Sequence, residues 1–380
     1  MSTDRNEELR QLTELPLSIK VDLTRQRIRE WVNHYGLDNT YISFSGGKDS
    51  TVLMDIAREL YPGMKAMFVD TGLEYPQIRT FVKGYDDVDI VRPRMNFRDV
   101  IVKYGYPIIS KEVSEALHGA RIYLDTNGRR YAYRMEKLCG EAVDKNGQPS
   151  SYNLSKWRFL LDAPFLISHM CCVVMKKTPA HRYYRETGRV GITGQQANES
   201  RLRREQWMRH GCNGFDLKIP VSNPMSFWTS EDVLAYISYR KLDIASPYGR
   251  LYIKSPDTGD DTNNAINDDI NNDDINVETL SSIDAYRGLK LETTGCERTG
   301  CVFCLFGISR DRERLLKLKE VDRRLYDYVM DGGQWQDVYL PPNKDRGAVE
   351  HTWWMPSNKG LGYRFVVDWL NEHGDLGIKY

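Results

Sequence analysis

The 380-residue chain has no charge surplus: 53 Lys and Arg stand against 53 Asp and Glu. Phosphate attraction needs clustered cations, so this balance excludes nonspecific nucleic-acid binding over the whole surface and asks for a local basic face instead. No stretch approaches the ~18–20 consecutive apolar residues of a membrane span. The opening residues, MSTDRNEELRQ, lack the apolar core of a secretory signal. The expectation is a protein of the reducing cytoplasm, with no membrane partner. No internal repeat of fixed period is visible. What is present is ordinary for a globular chain: 41% hydrophobic and 28% charged residues. The length is enough for one large domain with additions, or for two.

The pattern along the chain predicts an α/β fold: a doubly wound, mainly parallel sheet with helices on both faces. Residues 1–40 read as an N-terminal helical segment, with Val21, Ile28, Trp31 and Val32 at helical spacing and Gly36 as a stop. Short apolar runs then alternate with helical stretches. Tyr41–Phe44, Met64–Val69, Val88–Val91 and Arg189–Ile192 read as strands, and Asp49–Tyr61 and Phe97–Tyr104 as helices. The nucleotide-binding domain is placed at 41–250, with an insertion at about 125–160 that reads as a small β excursion around Asn127-Gly128 and Asn146-Gly147. Residues 251–290 hold an acidic loop; its 255–276 stretch has seven Asp, six Asn and no Lys or Arg. Such a segment buries too little apolar surface to order itself, so a disordered surface loop is expected. It lacks the Gly and Glu spacing of an EF-hand calcium loop. A cysteine-rich loop at 291–310 precedes a C-terminal extension at 311–380, helical at first and then aromatic-rich.

The strongest local signal is Ser45-Gly46-Gly47-Lys48-Asp49-Ser50 between a strand and a helix. Glycines let backbone approach a ligand closely, and free amides at the following helix start favour an anion the size of phosphate. Lys48 adds a point charge, Ser45 and Ser50 add hydroxyls, and Asp49 can cap the helix or hold Mg²⁺ beside a phosphate. The spacing is too short for the P-loop GxxxxGK[ST]. A second signal lies at 176–209, where nine Lys and Arg face three Glu. That excess suits a triphosphate, an adenylylated intermediate or a nucleic-acid backbone, DNA or tRNA, against the plainer reading of a solvated helix face.

Seven cysteines, an odd number in an expected reducing compartment, favour metal or redox chemistry over disulfides. Cys301 and Cys304 form a C-x-x-C pair, Cys296 lies five residues upstream, and Cys171 and Cys172 are adjacent. Thiolates on such a short loop can share one metal centre, zinc or iron–sulfur. Cys139 and Cys212 read as small buried thiols.

SFSGGKDS after a strand resembles the PP-loop of the ATP pyrophosphatases, which cleave ATP between its α- and β-phosphates. Phe68 to Gly72 with Glu74 and Tyr75, Gly194 to Arg203 (GQQANESRLR), and Pro224 to Ile237 (PMSFWTSEDVLAYI) are similar to motifs of the phosphoadenosine phosphosulfate (PAPS) reductase-like branch. Gln196 stands where that branch has arginine. The resemblance runs over about residues 25–310. It implies phosphate binding by Ser45, Gly46, Gly47, Lys48, Asp49 and Ser50. Asp70, Thr71 and Gly72 would border the adenosine; Gly194, Glu199 and Ser200 would complete the nucleotide site, with Arg203 on a phosphate and Glu199 orienting it. Lys48, Asp49 and Arg203 would act catalytically, by electrostatics rather than proton transfer.

The pairing of Cys171 and Cys172 with Cys301 and Cys304 resembles the CC…CxxC set that holds a 4Fe–4S cluster in adenylylsulfate reductases. Cys296 is a fifth candidate that could replace Cys171. The sulfonucleotide reductases attack the sulfate sulfur with a further cysteine near the chain end, whereas here no cysteine follows Cys304. The reductases also tend to carry altered PP-loops, and this one is intact. The expected cofactors are ATP, Mg²⁺ and a 4Fe–4S cluster. The expected reaction is adenylation of an unidentified acceptor with release of pyrophosphate, for sulfur transfer from a donor or partner protein, as in the sulfur-activating component of DNA phosphorothioation. The alternatives are a true adenylylsulfate or PAPS reductase using Cys212 or Cys296, and a nucleotide-binding redox regulator without turnover.

Overall fold

The computed structural model describes residues 2–126, 128, 130–150, 153–254, 280–340 and 349–380. The acidic 255–276 stretch and Asn127 lie outside the described residues. The chain divides into two compact units. One comprises Met1–Asp70, Glu74–Val91 and Ala180–Gly300; the other comprises Thr71–Leu73, Arg92–Pro179 and Cys301–Tyr380.

The first unit is built on a six-stranded sheet. Its order is Val88–Val91, Ala66–Val69, Thr40–Ser43, Val190–Ile192, Val221–Ser222 and Asn213–Gly214. All neighbours are parallel except the last pair. Thr40–Ser43 is central: Ile42 pairs with Ala66 on one side and Ile192 on the other, and all three are fully buried. The chain first builds outward from this strand to Val88–Val91, then returns to its opposite side at Val190–Ile192. That reversal is the switch point at which open α/β sheets leave a crevice beyond their carboxyl ends.

Helices cover the sheet for the reason the spacing predicts. In Lys48–Leu60 the residues Val52, Leu53, Ile56 and Ala57 recur at helical period and are fully buried. In Leu17–Tyr35 the predicted stripe Val21, Ile28, Trp31 and Val32 is buried too. The PMSFWTSED stretch proves to be a fastening. Thr229 and Asp232 form a capping box at the start of helix Ser230–Arg240. Asp232 also takes the Lys20 ammonium at 2.6 Å, and the Trp228 indole donates to Thr24 Oγ1 at 2.9 Å.

The second unit is mostly helical. It holds Phe97–Tyr104, Lys111–Asp125, Ala132–Cys139, Arg314–Val321, Arg323–Met330 and Tyr363–Gly374, with Met170–Cys172 running into a π-turn at Val173–Lys177. A short parallel pair joins Ile108–Ile109 to Leu305–Phe306, and a hairpin pairs Gly333–Leu340 with Val349–Pro356. The expected β excursion at 125–160 is corrected here. Its main element is the helix Ala132–Cys139, set against Lys111–Asp125 by ion pairs from Arg134 to Glu115 and from Lys137 to Glu112. The helix lies between the two turn signals, and its Leu138 is fully buried. An isolated bridge, Val143 to Pro149, spans the turn at Asn146-Gly147. The C-terminal extension begins with the expected helices, and its aromatic part is divided between the hairpin and the helix Tyr363–Gly374: Trp335 and Trp354 of the hairpin pack against Phe365 of the helix.

Candidate active site

The loop after the central strand turns sharply because Gly46 has φ +70° and its neighbours leave no room for a side chain: a Cβ would stand 2.8 Å from both Ile78 Cγ2 and Val82 Cγ2. Gly47 begins the helix Lys48–Leu60. Ser50 Oγ accepts the Ser45 amide at 3.1 Å and donates to Gly47 O at 2.9 Å, and Ser45 Oγ accepts the Gly47 amide at 3.3 Å. The two hydroxyls therefore shape the loop itself. Lys48 is buried, with its ammonium 3.8 Å from Asp49 Oδ2.

Gln196 donates to Asp49 Oδ1 at 2.8 Å. The residue that departs from the branch's arginine is thus spent orienting the Asp49 carboxylate. Gly194 is required by proximity, since a Cβ there would lie 2.9 Å from the Asp49 carbonyl oxygen. Ser200 caps helix Arg201–His210 by accepting the Arg203 amide at 3.3 Å. Arg203 pairs with Glu199. Burial lowers the Arg203 pKa, the Arg298 charge lowers it further, and Asp49 opposes both. Arg203 and Gln196 line a pocket with Gln195, Gln206 and Trp207. Four groups of the predicted set, the 45–50 loop, Gly194, Glu199 and Arg203, are thereby brought together in the first unit. Asp70 is also in this unit, buried, with Oδ2 accepting from Arg79 at 2.8 Å.

Sequence reading missed Tyr248. Its buried hydroxyl accepts the Lys48 amide at 3.1 Å and lies 2.8 Å from Thr299 Oγ1. Burial raises its pKa, which keeps the hydroxyl protonated. Arg298 was also missed; it sits beside Thr299 on the loop that Tyr248 anchors. Local pattern carries no mark of either, because Lys48 and Tyr248 are 200 positions apart.

Thr71 and Gly72 belong to the second unit. Thr71 Oγ1 accepts the Leu73 amide at 3.1 Å, Gly72 has φ +72°, and Leu73 O accepts the Val302 amide at 2.9 Å. This bend therefore rests on the cysteine loop of its own unit. There Cys171, Cys172, Cys301 and Cys304 come together. The Cys171 and Cys172 sulfurs are 3.9 Å apart. The Cys171 thiol is pushed up, first because it donates to Cys172, then by burial and by the charges of Cys172, Cys304 and Cys301. The same bond, helped by Lys111, Lys176 and Lys177 against the cost of burial, lowers Cys172 to about 6. Burial, then the Cys301 charge, pushes Cys304 up to about 12. Cys304 Sγ accepts the Phe306 amide at 3.4 Å, and Arg314 donates to the Cys304 and Phe306 carbonyls at 2.8 and 3.0 Å. Tyr363, fully buried, donates to Phe303 O at 2.7 Å. The C-terminal extension thus buttresses the C-x-x-C loop. The four sulfurs interact without standing at ligand spacing: among the described residues no three His, Cys, Asp or Glu side chains are arranged to hold a metal ion. Cys296 lies in the first unit, donating to Tyr75 Oη at 3.5 Å.

The basic 176–209 segment is divided. Lys176 and Lys177 act on Cys172 in the second unit. In the first unit Arg182, Arg189, Arg201 and Arg203 are paired with Glu186, Asp89, Glu205 and Glu199. The segment is not one continuous run of unpaired cations. Among the described residues, no helix is long and apolar enough to cross a membrane.

With this geometry in place, comparison with known proteins gives a family. The sequence pattern of the phosphoadenosine phosphosulfate reductase domain matches residues 39–108 and 123–305, and the chain belongs to that family, the PAPS reductase-like branch of the PP-loop superfamily. A similar protein of Methanocaldococcus jannaschii, itself uncharacterized, is 38% identical over 69 residues, 17% of either chain. The chain thus aligns with less than a fifth of that relative's length. A crystal structure of phosphoadenylyl-sulfate reductase from Candida auris, in complex with phosphate, is 16% identical, covers 63% of this chain and 87% of its own, and superposes with a TM-score of 0.33.

Proposed function

We propose that the protein is an adenylating ATP pyrophosphatase that activates an acceptor oxygen, releases pyrophosphate and serves sulfur transfer. The reading is carried by one observation: the loop at 45–50 is complete, with Asp49 held between Lys48 and Gln196 and the half-buried Arg203 close enough for the Asp49 charge to act on it. A carboxylate so placed can hold Mg²⁺ against the β- and γ-phosphates. Lys48 and Arg203 would then offset the negative charge that develops as the α–β bond breaks.

Cys171, Cys172, Cys301 and Cys304 have the donor type of a thiolate-ligated centre and feel one another's charges, although their sulfurs do not stand at ligand spacing. We assign them to a 4Fe–4S cluster, with zinc as the alternative metal; the cluster would supply sulfur or electron chemistry, whereas zinc would be structural. Cys296, whose thiol donates to Tyr75 Oη, stays the fifth candidate.

Protein prepared without oxygen should convert ATP and Mg²⁺ to AMP and pyrophosphate in the presence of a suitable acceptor, with oligonucleotide DNA and tRNA among those tried. No AMP with any acceptor, together with tight binding of a phosphosulfate nucleotide and sulfite release with a thiol, would replace this reading by phosphosulfate reduction. The family itself keeps that second reading open.

A further inference from the structure

The charges around the nucleotide loop do not cancel. The Lys48 ammonium lies near Asp49, and Arg203 is paired with Glu199. Arg298 is exposed and has no ion-pair partner among the described residues. Its position is nevertheless fixed. Thr299, the next residue, is buried; its hydroxyl lies 2.8 Å from Tyr248 Oη, which accepts the Lys48 amide at 3.1 Å. A Cβ on Gly47 would lie 3.7 Å from Thr299 Oγ1. Two residues earlier the same loop is tied by the Cys296 amide to Pro247 O at 2.8 Å, and before that by the Gly295 amide to Tyr248 O at 2.9 Å. Arg298 is thus carried on a loop fastened to the first turn of the phosphate-binding helix, and its charge reaches Arg203. Two guanidiniums that repel one another gain most from an anion bearing more than one charge.

We infer that Arg298 is a phosphate-binding residue that supplies the cation Gln196 does not, and that with Arg203 it holds the part of the nucleotide beyond the α-phosphate, a pyrophosphate-like dianion or higher. This rests on the nucleotide reading of the 45–50 loop, and it sets specificity: the site selects nucleotides with a polyphosphate tail over monophosphates.

The test uses the full chain prepared without oxygen and titration calorimetry with three probes: inorganic pyrophosphate, ATP and AMP. Arg298→Ala should weaken pyrophosphate and ATP at least about tenfold, the scale of one charge-assisted bond, and leave AMP within about twofold. Arg298→Lys should recover part of the loss. The thermal midpoint should not move, since the side chain is exposed. Unchanged pyrophosphate affinity in Arg298→Ala overturns the inference, as does an equal loss of AMP, or a wild type that binds no pyrophosphate. If pyrophosphate binding falls as expected but the wild type never forms AMP from ATP, the inference stands and the adenylation reading fails. If ATP turnover is present and indifferent to Arg298→Ala, the reverse holds.

Discussion

At the scale of single residues, the nucleotide site depends on side chains far away in sequence that occupy backbone groups of the loop. Tyr248 is the sharpest instance. Its hydroxyl satisfies the Lys48 amide and meets Thr299. Tyr248→Phe keeps the ring and strands a buried donor, which costs about 1–3 kcal/mol. Urea unfolding should show that loss as a lower midpoint at unchanged slope, and ATP affinity should fall with it. A variant as stable as the wild type would mean that water replaces the hydroxyl without cost. Gln196 teaches the same lesson from the other side. Its departure from the family's arginine was legible in sequence, but its partner, Asp49, was not.

At the scale of elements, the first turn of the helix Leu17–Tyr35 is held by a residue from the other end of its unit. Asp284 accepts the Ser18 amide at 2.9 Å and the Ser18 hydroxyl at 2.5 Å. Burial raises its pKa, but the bonds from Ser18 and Leu17 outweigh it and hold the carboxyl below its usual value of 3.8. A carboxyl depressed on folding adds stability above its unfolded pKa and loses it as pH falls through the folded one. Asp284→Asn should therefore cost a few tenths to about 1 kcal/mol at pH 7, the scale of a charge at a helix start. The two proteins should converge in urea midpoint below about pH 3. A difference that persists in acid would assign the effect to packing instead. The amphipathic stripe of Leu17–Tyr35 was readable because burial repeats every three or four residues. Its cap was not, since the chain must first fold to bring residue 284 there. The helix at Ala132–Cys139 escaped because it is only eight residues long and lies between two turn signals, so the burial of Leu138 leaves no long stripe to read.

At the scale of the whole molecule, the phosphate loop lies in one compact unit and the four clustered cysteines in the other. The two functions should separate accordingly. Lys48→Ala, purified without oxygen, should keep the iron content and visible absorbance of the wild type while losing ATP binding. Cys304→Ser should lose the absorbance and keep pyrophosphate affinity within about twofold. Loss of both properties in either variant would show that the units do not fold independently. Four of the nine cations of 176–209 lie in ion pairs with Glu186, Asp89, Glu205 and Glu199. The sequence by itself determined the strand, the glycine turn and the helix at 40–60, the parallel α/β class and the family, because these rest on backbone sterics and short-period burial. Only the tertiary structure decided that the Cys296 thiol donates to Tyr75, and that Tyr248, Thr299 and Arg298 join the phosphate loop. Those relations are set by contacts between residues scores to hundreds of positions apart, which leave no periodic trace in the chain.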